Sequence, residues 1–193
     1  MFLISSLFFY MFCIIFRFAS KFIFRTNEKS VWYLLHFICN LFVVMYTYTE
    51  LKWCLTDHEK SFDTTLFDDN AMGIMVGLHV YHITVYWKYM SFVDWLHHLL
   101  SAFFLSSVGV YILRMPIWNC GLFFLCGLPG GIDYLMLYLV KIRMIQKKTE
   151  KRVNVFLNNW IRLPGILYTV FLTHFGIRAG FLKINSFLVI TCG

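Results

Sequence analysis

Residues 117–140 read IWNCGLFFLCGLPGGIDYLMLYLV, and Asp133 is the one acidic or basic side chain in that run. A membrane-spanning helix needs about 20 mostly apolar residues, and this stretch supplies them. It also carries a break, Gly127-Leu128-Pro129-Gly130-Gly131, just before Ile132-Asp133. Proline removes a backbone donor and crowds the preceding turn. The glycines loosen the helix and allow close backbone approach. Carbonyls freed inside a membrane need new partners, from neighbouring helices or a water-filled cavity. A broken helix leading into an embedded carboxylate is a binding-site layout found in transporters; a proline kink with no ligand is the alternative. Pro164-Gly165 marks a second kink in a later run.

Five further stretches resemble this one in length and composition. They run from Met1 to about Phe24, Val31 to Thr49, Ala71 to Trp87, Asp94 to Leu113 and Val153 to Phe175. The fold class expected is therefore all-α: an integral membrane bundle of about six transmembrane helices forming one domain. The first stretch has no charged n-region and no small-residue cleavage site, so it reads as an anchor and not as a cleaved signal. The tail from Ile184 to Cys192 is too short to span and reads as a partial seventh helix or a truncated one.

Composition agrees. Hydrophobic residues make up 60% of the chain and charged ones 14%, against roughly half and a quarter in soluble domains. Aromatics reach 20%, so many rings are expected against lipid or at its interface. The formal net charge is +7. Its carriers sit between apolar runs, which assigns them to membrane orientation and excludes nucleic acid as a partner. Lys and Arg in short loops favour the cytosol. The odd-numbered loops hold Arg17, Lys21, Arg25, Lys29, Lys88 and the cluster from Lys141 to Arg152. The even-numbered loops hold fewer: Lys52, Lys60, Arg114, Arg178 and Lys183. The second loop carries the acids Glu50, Asp57, Glu59, Asp63, Asp68 and Asp69. The N-terminus is thus expected outside, or in the lumen. The six cysteines are scattered with no C-x-x-C pair, so neither a zinc site nor a disulfide framework is indicated.

Ionisable groups within a bilayer usually face the bundle interior or a cavity. Counting about 1.5 Å per residue from the cytosolic ends puts His79, His82, His97, His98, Asp133 and Asn158 roughly 5–13 Å deep, and Arg162 about 15 Å deep. His79, His82 and Tyr86 share a helix face, Asp94 and His98 are i, i+4 partners, and Asn154, Asn158 and Arg162 form an i, i+4, i+8 stripe. The expectation is a polar pocket of His82, His98, Asp133 and Asn158 open to the cytosol. Interhelical hydrogen bonding as packing glue is the competing reading. His36, His58 and His174 are placed in the other half of the membrane or outside it.

The stretch Asp94-Trp95-Leu96-His97-His98-Leu99-Leu100-Ser101, followed by Gly131-Ile132-Asp133-Tyr134, resembles the TLC-domain superfamily, which includes ceramide synthases and other lipid-handling membrane proteins. The resemblance covers roughly residues 71–175. It implies a bundle of six to eight helices, membrane lipids as partners, and an endoplasmic reticulum location. It also implies catalytic candidates His98, His97, Asp133 and His82, with His79, Tyr86, Asn158 and Arg162 around the substrate. Ceramide synthases carry a second His-Asp pair three residues before a final Asp. Here Asp133 matches the last, while Pro129 and Gly130 occupy the earlier two positions. Acyl transfer therefore lacks two of its groups, and enzyme activity stays open. Leu78-His79-Val80-Tyr81-His82 is similar to the His-x-x-His-His box of very-long-chain fatty acid elongases, with Ile83 replacing the third histidine.

A di-iron lipid oxygenase needs more histidines than cluster here, and no H-E-x-x-H exists. No metal and no resident cofactor are expected, acyl-CoA being the candidate co-substrate. A histidine in a low-dielectric pocket suits a general base. Arg162 and the basic loop Lys141–Arg152 would attract an acyl carrier's phosphates, or serve topology and anionic lipid contact alone. A second copy of the chain is a candidate partner, and a small transporter or channel using the kinked helix is the rival function.

Overall fold

The structure, a computed structural model, describes residues 1–24 and 27–181. Arg25, Lys183 and the apolar tail from Ile184 to Cys192 lie outside the described residues. Helices α1 (Phe2–Phe24), α2 (Glu28–Thr56), α3 (Asn70–Tyr86), α4 (Phe92–Leu113), α5 (Pro116–Lys141) and α6 (Lys147–Arg178) make up the bundle. No strand occurs among the described residues. Five helices, all but α3, are long and apolar enough to cross a membrane, with mean hydropathies of 1.2 to 2.0. Helix α3 has 17 residues, about 25 Å of rise, and the 3-10 turn Trp87–Tyr89 extends it. It lies inside the bundle, packed by α1, α2 and α4. The outer faces expose Leu7, Phe8, Ile15, Phe103, Phe104, Leu167 and Phe171, the apolar surface that lipid requires.

Helix α2 is the axis, touching α1, α3 and α5, while α6 covers α5. Small residues set the closest approaches. A Cβ added at Gly73 would stand 2.6 Å from Ser5 Cβ, and one at Gly77 2.6 Å from the Ser6 carbonyl oxygen, so α1 and α3 meet backbone to backbone. Gly130 lies against the Asn40 side chain, whose amide nitrogen would stand 3.1 Å from an added Cβ, which sets the broken turn of α5 on α2. Leu35, Cys39, Val43, Ile74, Leu78 and Tyr81 fill the core between these helices.

Each of the last three helices contains a π-helical segment: Leu99–Leu105 and Val108–Leu113 in α4, Phe123–Gly127 in α5 and Asn158–Arg162 in α6. The α5 and α6 segments end directly before Leu128-Pro129 and Leu163-Pro164. A proline ring clashes with the carbonyl four residues back, and widening the preceding turn relieves it.

At one end of the bundle, Glu28 pairs with Arg17 at 2.7 Å and with Lys21, and accepts the Tyr86 hydroxyl at 2.8 Å. We call this the basic end. At the acidic end, α2 runs on to Thr56 and not to Thr49 as the sequence suggests. Glu50 is therefore part of the helix and not of the loop. It is 2% exposed and accepts hydrogen bonds from the Asp68 N–H and the Asn119 amide. In the loop itself, Asp57 caps a short helix, and Lys60 beside it holds its carboxyl below the usual range; Thr65 does the same for Asp63.

Candidate histidine-lined site

Four helices bring imidazole or aromatic rings together near the basic end. Helix α2 contributes Trp32, His36 and Asn40 at i, i+4, i+8. Helix α3 contributes His79, His82 and Tyr86, helix α4 His97 and His98, and helix α5 Tyr134. With Arg162 from α6 these line a cavity of about 440 Å³. His82 stacks on Trp32 at 4.1 Å and on His36 at 4.6 Å between ring centroids, and Tyr134 stacks on His36 at 4.1 Å. His36 thus belongs to the cluster, which corrects its placement in the other half of the membrane. Helix α2 enters from the basic end at Glu28, so His36 lies two turns in, at the depth of His82. The same residue count applied to α2 would have found it. His58 lies at the far end, against Phe175.

The hydrogen bonds fix tautomers. His36 Nδ1 and His79 Nδ1 lie 2.7 Å from the carbonyls of Trp32 and Met75, each one turn back. A carbonyl only accepts, so both Nδ1 atoms carry the proton, and in the neutral ring both Nε2 atoms present lone pairs. The Ser101 hydroxyl lies 2.9 Å from His79 Nε2 and 2.6 Å from the His97 carbonyl. Its single proton cannot fully serve both. His82 and His98 are 3% and 6% exposed, and His82 Nε2 and His98 Nδ1 have no protein partner.

Asp133 does not join this cluster, contrary to the expected pocket. Its carboxylate accepts the Asn154 amide at 2.5 Å; Asn158 donates to Asn154 at 2.7 Å, and Arg162 donates to Asn158. The predicted stripe on α6 is present, but it links Asp133 to Arg162 through two carboxamides. Each embedded charge finds its opposite through neutral dipoles, which reduces the cost of holding both in the bundle. Asn158 belongs to this relay and Arg162 alone of the four lines the cavity. Asp94 turns to Ser91, its carboxylate 2.9 Å from the backbone N–H and 2.7 Å from the hydroxyl in a capping box, and is not held by His98.

Arg162 has a second task. Pro129 has no N–H for the Leu125 carbonyl four residues back. Arg162 Nε donates to that carbonyl at 3.0 Å. The break in α5 is closed by a side chain from α6.

A second cavity of about 680 Å³ adjoins the first and shares Trp32, Tyr86 and Tyr89 with it. Arg17, Lys21, Glu28 and Lys29 line its outer part. Sequence reading missed Glu28, Trp32, Asn40, Ser101 and Tyr134 as neighbours of the site. Only the α2 stripe Trp32, His36, Asn40 had a signal, its i, i+4 spacing.

No protein-family model matches the chain, and no curated protein or solved structure matches it. What fold and site define is an all-α membrane-type bundle with a histidine-lined cavity near its basic end.

Proposed function

We propose that this chain is a TLC-type membrane protein of the endoplasmic reticulum that binds the polar end of a lipid in the histidine cavity. The basic end faces the cytosol and the N-terminus the lumen. The observation that carries the reading is the pair of buried, unpartnered imidazole nitrogens, His82 Nε2 and His98 Nδ1. A buried polar atom without a partner costs roughly 1–3 kcal/mol, and a lipid hydroxyl, amine or amide supplies the missing bond. The aromatic rings around them suit the first carbons of the chain, and the basic residues of the outer cavity suit phosphate.

Chemistry at this site rests on the histidines without Asp133. Either His82 or His98 takes the proton of a lipid hydroxyl or amine as it attacks an acyl thioester entering from the cytosol; the ester or amide bond forms as the C–S bond breaks, and the imidazolium returns the proton to the departing thiolate. Binding is the part that geometry supports best. The transporter reading loses support, because the carbonyl freed by Pro129 is occupied by Arg162.

The test is lipid analysis of the full chain purified in nanodiscs. A lipid class should be enriched over the surrounding bilayer, and His82→Ala or His98→Ala should remove the enrichment. Incubation with acyl-CoA then reports whether product forms. Equal lipid profiles for wild type and both variants would sink the reading.

A further inference from the structure

The imidazoles of His79, His97 and His98 converge at the cavity wall. One ligand nitrogen from each lies within 4.8 Å of the other two. Their ring centroids are 5.4 Å apart for His79 and His97, 5.0 Å for His79 and His98, and 5.4 Å for His97 and His98. A tetrahedral metal holds imidazole nitrogens at about 2.0–2.1 Å, which puts the ring centres about 5.2 Å from one another. The three observed separations bracket that figure. Packed rings in general sit about 4.5–7 Å apart, so what marks this trio is that one ligand nitrogen from each of the three points to a common space.

The protonation pattern agrees. A ligating histidine usually donates its other N–H to a backbone carbonyl or carboxylate, which fixes the tautomer and the ring direction. His79 does so through Nδ1 to Met75, which leaves Nε2, 2.9 Å from the Ser101 hydroxyl, as the nitrogen able to ligate. Ser101 does not compete fully for it, because its proton has a nearer acceptor in the His97 carbonyl. His98 is more than nine-tenths buried with Nδ1 unpartnered. Helix α4 presents His97 and His98 from the last turn before its first π segment, and α3 presents His79 across from them.

We propose that His79, His97 and His98 form a site for one divalent transition metal, with zinc the fitting ion and the remaining coordination position facing the cavity. Neutral imidazoles with no carboxylate in the set favour zinc and its neighbours over calcium or magnesium, which take oxygen ligands. The ring of His82, 5.4 Å from that of His98, stands beside the open position. This goes beyond the lipid reading; His98 Nδ1 cannot serve both, so with zinc bound the lipid's hydrogen bond falls to His82 Nε2.

The test uses the full chain without an affinity tag, in nanodiscs, stripped with a chelator and reloaded with zinc alone. Elemental analysis after desalting should find one zinc per chain. His97→Ala should weaken binding beyond the ~10–100-fold that losing an outer partner costs. His97 is exposed, so this variant opens no core cavity. A thermal melt checks this: without zinc it should match the wild type, and only the wild type should rise on adding zinc. His58→Ala and His174→Ala should bind as the wild type does. Cobalt in place of zinc should give the strong visible bands of a four-coordinate ion. Retention of zinc by His97→Ala equal to the wild type, or no zinc in the wild type, overturns the proposal. Zinc bound with no lipid enriched leaves this site standing and sinks the lipid reading; enriched lipid with no zinc does the reverse.

Discussion

At the scale of single residues, Arg162 shows how one side chain meets two separate needs. Its guanidinium ends the relay from Asp133 and also caps the Leu125 carbonyl. Arg162→Ala should therefore destabilise the bundle by about 1–3 kcal/mol, the cost of leaving acceptors unpaired where lipid and not water surrounds them, read from thermal unfolding in nanodiscs. Pro129→Ala restores a backbone N–H to Leu125. In the Arg162→Ala background it should recover part of the loss, and in the wild type it should gain less. Purely additive effects in that double-mutant cycle would contradict the pairing. The charges of this relay were legible in the sequence, as was the α6 stripe. Their partners were not, because the expected pocket was assembled from depth and from one-sided stripes, which do not say which neighbouring helix a face meets. Depth says which slab a group occupies and nothing about the direction in which its helix turns it. Asp133 and Tyr134 are adjacent, yet one faces α6 and the other the histidines.

At the scale of helices, close packing depends on a few glycines. Gly77 faces the Ser6 backbone at a separation that admits no Cβ. Gly77→Val should push α1 from α3 and lower stability by about 1–3 kcal/mol, the usual penalty of overpacking. Val76→Ala, next to it in sequence but only partly buried, should cost less than Gly77→Val. The apolar runs placed most helix starts and ends within a few residues. They failed at Glu50, because a carboxylate reads as loop until Asn119 and the Asp68 N–H are brought to it by the fold, and at the start of α6, where the charged run Lys147–Arg152 is helical and not loop. They gave no sign of the π segments, although Pro129 and Pro164 mark where two of them end.

At the scale of the whole molecule, charge is separated along the bundle axis. Lys29, Lys88 and the cluster from Lys141 to Arg152 belong to one end, and Asp57, Glu59 and Asp63 to the other. The orientation proposed from this has a direct check. In sealed microsomes, a membrane-impermeant maleimide should label Lys147→Cys and leave Glu59→Cys unlabelled until the membrane is opened. The reverse pattern would invert the bundle and place the histidine cavity near the lumen. The bundle itself was legible from hydropathy. The shorter α3 differs from the other five because its neighbours, and not lipid, cover most of it.

The bond from Arg162 to Leu125 joins the interrupted turn of α5 to the interrupted turn of α6. Two hinges that would each bend alone are tied at one point, so independent flexing of either helix there has to break that bond, at about 0.5–1.5 kcal/mol. The wall of the cavity behind His36 and Tyr134 is stiffened as a result.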